Sequence, residues 1–119
     1  MPGKIVHFEV PSADADRAVG FWSGVFGWSF GGPMSPEMDY RMTKVSDDLG
    51  GAIFPSEQAG SGLAIYFETN DIAASIAKVR ELGGKAEEKM PVPTHGWFAA
   101  CKDTEGNAFS LWQGDSSAA

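Results

Sequence analysis

The sequence predicts an α+β domain made of two tandem βαβββ modules. A polar turn followed by an apolar strand occurs twice, once around Gly50 and once around Gly106. These glycines differ by 56 in number, as do Gly27 and Gly83, which follow the two predicted helices. A chain of 119 residues is long enough for one core only, so the two modules are expected to form a single domain over residues 1–114.

Module one, residues 4–54, is predicted to run β-α-β-β-β. Residues 5–10 alternate, which predicts a strand whose even-numbered residues face a core and whose His7 and Glu9 face away from it. Apolar residues then recur at helical spacing from Ala18 to Phe26, and Gly27 is expected to end that helix. Residues 28–30, 39–45 and 51–54 are predicted strands.

Module two, residues 63–113, repeats this order after a polar, glycine-rich linker at residues 55–62. A strand at 63–67 precedes a helix that is capped by Asn70 or Asp71. Strands are predicted at 85–90, 97–101 and 108–113, and residues 115–119 are expected to form a flexible tail. The buried side of the second helix is predicted to carry Ile72, Ile76, Val79 and Leu82.

A βαβββ module cannot bury both faces of its own sheet, so two modules are expected to associate within one chain or between chains. The helices would lie outside, and a curled mixed sheet would surround a cleft of the kind that binds small molecules.

Composition and charge restrict the partners. The 9 basic and 16 acidic residues give a net charge of −7, which disfavours nucleic acid. No apolar run approaches the length of about 20 residues that a membrane helix needs. The single Cys101 cannot form an internal disulfide and the sequence opens without a secretory signal, so a cytoplasmic protein is expected.

Three segments together resemble the vicinal oxygen chelate superfamily, which includes glyoxalase I, extradiol dioxygenases, fosfomycin-resistance enzymes and bleomycin-binding proteins. They are Val-His-Phe-Glu-Val at residues 6–10, the aromatic helix and its glycine end at 17–28, and the ending at 96–109. The resemblance implies the glyoxalase/bleomycin resistance/dioxygenase fold for a single-domain member. It does not select one reaction, because this fold serves both enzymes and non-catalytic binding proteins.

Metal-dependent members of this superfamily place His, Gln or Glu ligands on the first and last strands of each module. Only His7 matches such a position. The other three positions fall on Ala52 or Phe54, on Leu63 or Ala64, and on Ser110, which are poor ligands for a divalent cation. No metal and no other cofactor is therefore predicted.

The candidate catalytic residues are His7 as the proton-transfer group and Glu9 as the carboxylate that orients it and raises its pKa. His7 as a half-buried structural histidine and Glu9 as a rim residue in water are equally compatible with the pattern. The candidate ligand contacts are Phe54, Tyr66, Ser110 and Trp112, although large aromatic residues are more often core residues. Cys101 is expected to be a buried small hydrophobe and His95 a loop residue.

The sequence thus predicts a small-molecule-binding protein of the glyoxalase or bleomycin-resistance type. One hypothesis is a glyoxalase-like lyase or isomerase that works without metal. The alternative is a binding or sequestering protein for an aromatic or antibiotic-like ligand, without turnover. A homodimer is expected in either case, because Trp22, Phe26 and Trp28 supply more aromatic surface than one helix stripe needs.

Overall fold

A computed structural model of the protein describes residues 3–119. The elements follow the chain in the order β-α-β-β-β-α-β-β-β-β, and they divide into two compact units, Val6–Ala64 and residues 3–5 with Ile65–Ala119. Their bounds are β1 Ile5–Ser12, α1 Ala15–Phe26, β2 Arg41–Ser46, β3 Leu49–Pro55, β4 Ala64–Glu68, α2 Ile72–Glu81, β5 Lys85–Ala86, β6 Met90–Val92, β7 Gly96–Lys102 and β8 Ala108–Gly114.

In the first unit the strands lie in the order β2-β3-β1, with β3 antiparallel to β2 and parallel to β1. Helix α1 packs against β3. Val10 and Ile53, which are paired in the β1–β3 register, are buried. The Thr43 hydroxyl is also buried and donates to the Ser29 carbonyl oxygen at 2.8 Å, so the segment after α1 is attached to β2.

In the second unit the strands lie in the order β4-β8-β7-β5, and β6 also pairs with β7. Strand β8 is parallel to β4 and antiparallel to β7. The core is formed where α2 packs on β7 and β8. Its members are Ile72, Ile76, Ala99, Cys101 and Leu111. Cys101 is therefore a buried apolar residue, as the sequence predicts, and burial raises the pKa of its thiol.

The helix ends follow from local chemistry. Asp14 and Asp71 are extended N-cap residues whose carboxylates accept hydrogen bonds from Arg17 N and Ala74 N, which resolves the Asn70-or-Asp71 alternative in favour of Asp71. Gly27 ends α1 at φ 72°, a left-handed conformation that glycine adopts without steric cost.

The predicted packing of the two helices is only partly correct. Helix α1 has no buried residue, and Phe21 and Phe26 are 62% and 57% exposed, because its aromatic stripe is wider than the contact with β3. In α2, Ile72 and Ile76 are buried, but Leu82 is 67% exposed. Leu82 lies beyond the last helical residue, at the C-cap, where the helical spacing that predicted its burial no longer applies.

Two other segments differ from expectation. The predicted strand at residues 85–90 is only Lys85–Ala86, followed by an irregular segment and then β6. Residues 115–119, expected to be flexible, carry specific contacts: Thr94 N donates to Ala118 O at 3.0 Å, and Ala118 is buried. The small, polar residues of this segment gave no sequence signal for the turn. The turn depends on Asp115, whose carboxylate accepts hydrogen bonds from both Ser117 N and Trp97 Nε1.

Gly51 allows a close approach between β3 and the aromatic ring of Phe8, its register partner on β1. A Cβ atom at this position would overlap the Phe8 ring, and Gly51 is buried. The ring itself contacts Trp28, with 5.5 Å between the ring centroids, so it has a neighbour on its other side. The glycine therefore makes room for the aromatic residue that joins β1 to the segment after α1.

We expect Gly51→Ala to lower the free energy of unfolding by about 1–3 kcal/mol, because the added methyl group forces the Phe8 ring to move. Urea denaturation measures this change. Gly24→Ala is the matched control, since no atom lies near its added Cβ and a helical alanine is favoured over glycine by about 0.5–1 kcal/mol. Equal stability of Gly51→Ala and the unmodified protein would contradict this packing.

Candidate functional site

One face of the first unit's sheet carries the candidate catalytic residues. In the β1–β3 register His7 pairs with Gly50, Glu9 with Ala52 and Pro11 with Phe54. Paired residues share a face, so the sheet places Phe54 on the same side as His7 and Glu9. Val10 and Ile53 alternate with these residues and point to the opposite side.

A tyrosine hydroxyl connects His7 to Glu9. The Tyr40 hydroxyl donates to Glu9 Oε2 at 2.6 Å and lies 2.7 Å from His7 Nε2. The direct distance between His7 Nε2 and Glu9 Oε2 is 3.9 Å, too long for a hydrogen bond. Both side chains are largely withdrawn from solvent, with 22% of His7 and 18% of Glu9 exposed.

The single hydroxyl proton of Tyr40 determines the tautomer of His7. Since this proton is donated to Glu9, the Tyr40 oxygen is left as an acceptor, and a neutral His7 meets it with a proton on Nε2. Burial lowers the pKa of His7, and the negative charge of Glu9 opposes this by raising it. Burial is the larger effect, so His7 is neutral at pH 7.

This geometry changes the predicted role of Glu9. The sequence predicts that Glu9 orients His7 and raises its pKa; the charge of Glu9 does raise the pKa, but burial is the larger effect, and both residues form hydrogen bonds with Tyr40. Sequence reasoning missed Tyr40. The available signal was alternation in the predicted strand at residues 39–45, which places Tyr40, Met42 and Lys44 on one face, but nothing local shows that this face also holds His7.

The second unit places the other candidate contacts on one face of its own sheet. Tyr66 pairs with Ser110, and Glu68 with Trp112. Leu111, between Ser110 and Trp112, belongs to the core under α2, so Ser110 and Trp112 face away from that helix. Tyr66 and Trp112 are half-buried, and Ser110 is buried.

Gly96 gives the Trp112 ring its position on this face. A Cβ at Gly96 would come within 2.8 Å of the indole atoms Cζ2 and Cη2, so the ring lies directly over the glycine. This arrangement keeps a broad aromatic surface close to the strands. His95, next to Gly96, is exposed in a turn, and its Nδ1 lies 3.0 Å from the Pro93 carbonyl oxygen.

The residues do not fit a superfamily-type metal site. The ligand positions other than His7 carry methyl, phenyl, aliphatic and hydroxyl groups, and His7 Nε2 is hydrogen-bonded to Tyr40. Within residues 3–119, no three His, Cys, Asp or Glu side chains lie close enough together to hold a metal ion. Function without metal stays a prediction.

Neither helix of residues 3–119 has the length and apolar character that a membrane-crossing helix needs.

The chain is similar in sequence to known proteins over most of its length. The sequence profile of the glyoxalase-like domain family matches residues 6–112. A glyoxylase-like domain-containing protein of Didymella fabae is 30% identical over 122 aligned positions, which cover 92% of each chain.

Solved structures extend this comparison to the fold. A glyoxalase/bleomycin resistance protein/dioxygenase superfamily member from Vibrio splendidus has a TM-score of 0.69 at 16% identity, covering 93% of this chain and 98% of that chain. Methylmalonyl-CoA epimerase from Mycobacterium tuberculosis has a TM-score of 0.71 at 13% identity, covering 95% and 88%. At these identities the likeness establishes the fold alone. The predicted α+β class and the superfamily resemblance are confirmed.

The coupling of Glu9 to His7 can be measured by NMR titration of the imidazole ring. We expect Glu9→Gln to lower the pKa of His7 further, because the change removes the negative charge that opposes the effect of burial. His95 provides an internal reference, since it is exposed and lies in the other unit. An identical His7 titration in both proteins would show that the carboxylate does not act on the ring.

Proposed function

This chain belongs to the glyoxalase-like domain family, and on that premise we propose that it binds a small molecule and transfers a proton at one of the ligand's carbon atoms. The reaction would be an isomerase or lyase step that needs no bound metal. The observation that supports this proposal is the half-buried, hydrogen-bonded series Glu9–Tyr40–His7 on one sheet face.

His7 has the properties of a general base in this arrangement. A base must be unprotonated at the working pH, and burial lowers the pKa of His7. Once His7 has accepted a proton, the imidazolium still donates from Nε2 to Tyr40, and the carboxylate of Glu9 lies 3.9 Å from Nε2. The negative charge then stabilises the protonated ring, which can return its proton to the ligand.

The structural neighbours give this chemistry a precedent on the same fold. Several are methylmalonyl-CoA epimerases, and one is in complex with methylmalonyl-CoA. Epimerisation of a carbon next to a carbonyl group requires removal and return of a proton. We infer proton transfer at a carbon of this kind for the present chain. The thioester substrate of the neighbours is not carried over to it.

Four further residues are proposed as ligand contacts, each on the sheet face of its own unit. Phe54 shares the sheet face of His7 and would provide an apolar contact. In the second unit, Tyr66 and Ser110 would provide hydroxyl groups, and the Trp112 ring over Gly96 would provide a stacking surface.

The aromatic surface also favours a second function, in which the protein binds or sequesters an aromatic ligand without turnover. Stacking on Trp112 would contribute to affinity without any proton transfer. The two functions differ in one measurable respect: His7 is required for chemistry in the first and is not required in the second.

Hydrogen–deuterium exchange at carbon distinguishes these functions. Small carbonyl compounds that raise the thermal stability of the protein are incubated with it in D₂O, with a chelator present, and deuterium uptake is followed by mass spectrometry. We expect protein-dependent uptake, which His7→Asn reduces by about 10²-fold or more, the usual contribution of a general base. Tyr40→Phe should also slow uptake, because it breaks the connection to Glu9.

His95→Asn is the matched control, since it removes the other histidine from an exposed turn. Its uptake rate should equal that of the unmodified protein. Ligands that bind to the unmodified protein and to His7→Asn, without deuterium uptake in either, would replace the catalytic proposal with the binding function.

We also propose that the chain forms a homodimer through the exposed aromatic side of α1. Trp22 stacks parallel to Trp28 with 5.8 Å between centroids, and Phe26 stacks on Trp28 at 4.9 Å. Beside this cluster, Phe21 and Val25 are 62% and 55% exposed. Aromatic residues exposed in such a group are typical of protein–protein interfaces.

Light scattering on a size-exclusion peak tests the dimer. We expect a mass of two chains at tens of micromolar protein, and a mass of one chain for Val25→Glu, which places a charge in the aromatic surface. Val25 is not one of the stacked rings and is mostly exposed, so the change leaves the stacked cluster intact. Met34→Glu, at a residue of equal exposure outside α1, is the control. A one-chain mass for the unmodified protein would refute the dimer.

A further inference from the structure

A lysine shares the sheet face of His7, with a glycine between the two residues. Gly50 pairs with Lys44 on β2 and with His7 on β1, so these three residues form one row across the strands. Paired residues point to the same side of a sheet, which places the Lys44 and His7 side chains on a common face. Because strands lie about 4.8 Å apart, the two Cα atoms are separated by about 10 Å.

Lys44 also differs from the two arginines of Val6–Ala64, which form ion pairs within the fold. Arg41 is paired with both Asp39 and Asp16, and Arg17 lies 3.8 Å from Asp14. Lys44 is exposed and has no ion pair among residues 3–119. In a chain with a net charge of −7, an unpaired cation beside the candidate site is a specific point of attraction for an anion.

A surface cavity lies next to Lys44. This cavity of about 450 Å³ runs along β2 and the turn after it, and its lining includes Met42, Lys44 and Gly50 as well as Ser29 and Thr43. His7 does not line this cavity, but a Cβ at Gly50 would lie only 3.9 Å from His7 Nδ1, so Gly50 borders both. The volume is within the range of small-molecule sites.

We propose that Lys44 binds the carboxylate group of the ligand and thereby selects a short carboxylate-bearing carbonyl compound as the substrate class. This inference rests on the proposed function, because it takes the reacting carbon to lie at His7. A lysine ammonium group binds a carboxylate as a compact point charge. The separation of about 10 Å between the two Cα atoms suits a short ligand between the ammonium group and the imidazole ring.

The charges at the other end of the cavity restrict the position of the anion. Asp47 and Asp48, in the turn between β2 and β3, also line the cavity, and Asp48 accepts a hydrogen bond from the Ser46 hydroxyl. Two carboxylates repel a third, so the carboxylate of the ligand belongs at the Gly50 end, between Lys44 and His7. The same repulsion disfavours ligands with several negative charges.

The test compares acids with their uncharged amides. Pyruvate and levulinate, each with its amide, are titrated into the protein, and binding is followed by the NMR signals of the His7 ring and the Lys44 ammonium group. We expect the acids to shift both signals, and Lys44→Gln to weaken acid binding by about tenfold, the size of one charge-assisted hydrogen bond. Lys85→Gln, in the other unit, is the matched control and should bind like the unmodified protein.

The outcomes separate this inference from the catalytic proposal. Amides that bind as tightly as the acids, acids that shift neither signal, or acid binding that is unchanged in Lys44→Gln would each overturn the role of Lys44. Carbon-bound deuterium uptake could persist in those cases, and the catalytic proposal would then stand alone. Lys44-dependent acid binding without deuterium uptake would support the ligand class and refute proton transfer.

Discussion

The hydroxyl group of Tyr40 is the constraint on which the chemistry of the first unit depends. It has one proton to donate, and the carboxylate of Glu9 is the stronger acceptor of its two partners, so His7 must present an N–H group. The direct distance of 3.9 Å between His7 Nε2 and Glu9 Oε2 shows why the intermediary matters. The negative charge of Glu9 can stabilise a protonated ring at this distance without a direct hydrogen bond to it, while burial keeps the resting ring neutral.

The architecture supports this connection with small residues. Ala52 lies between Glu9 on β1 and Met42 on β2, and Gly50 lies between His7 and Lys44. A large side chain at position 50 or 52 would fill the space above β3. A side chain from the β2 side has to cross this space to reach His7 or Glu9 on β1. Gly51 serves the opposite face, where the Phe8 ring occupies the room that its missing side chain leaves. Positions 50 to 52 of β3 therefore carry small residues on both faces, for two different purposes.

The sequence predicted those parts of the fold that depend on neighbours along the chain. Alternation located β1, and Asp14, Gly27 and Asp71 carried the chemistry of the helix ends. The exposure of Phe26 was not predictable, because helical spacing shows which side is apolar but not how much of that side the sheet covers. The role of Tyr40 was not predictable for a similar reason, because its distance to Glu9 depends on the register of β2 on β3 and of β3 on β1.

The two units also show that a duplicated framework need not carry duplicated chemistry. Their helices begin at equivalent aspartates, yet the strand faces opposite the helices differ: the first unit has an imidazole, a phenol and a carboxylate in hydrogen-bonded contact, and the second has Tyr66, Ser110 and an indole over glycine. Backbone geometry is set by caps, turns and alternation, which many sequences satisfy. Outward-facing residues contribute little to that geometry and are free to diverge. The pattern therefore identifies the fold, whereas the proposed reaction rests on three side chains that only the register brings together.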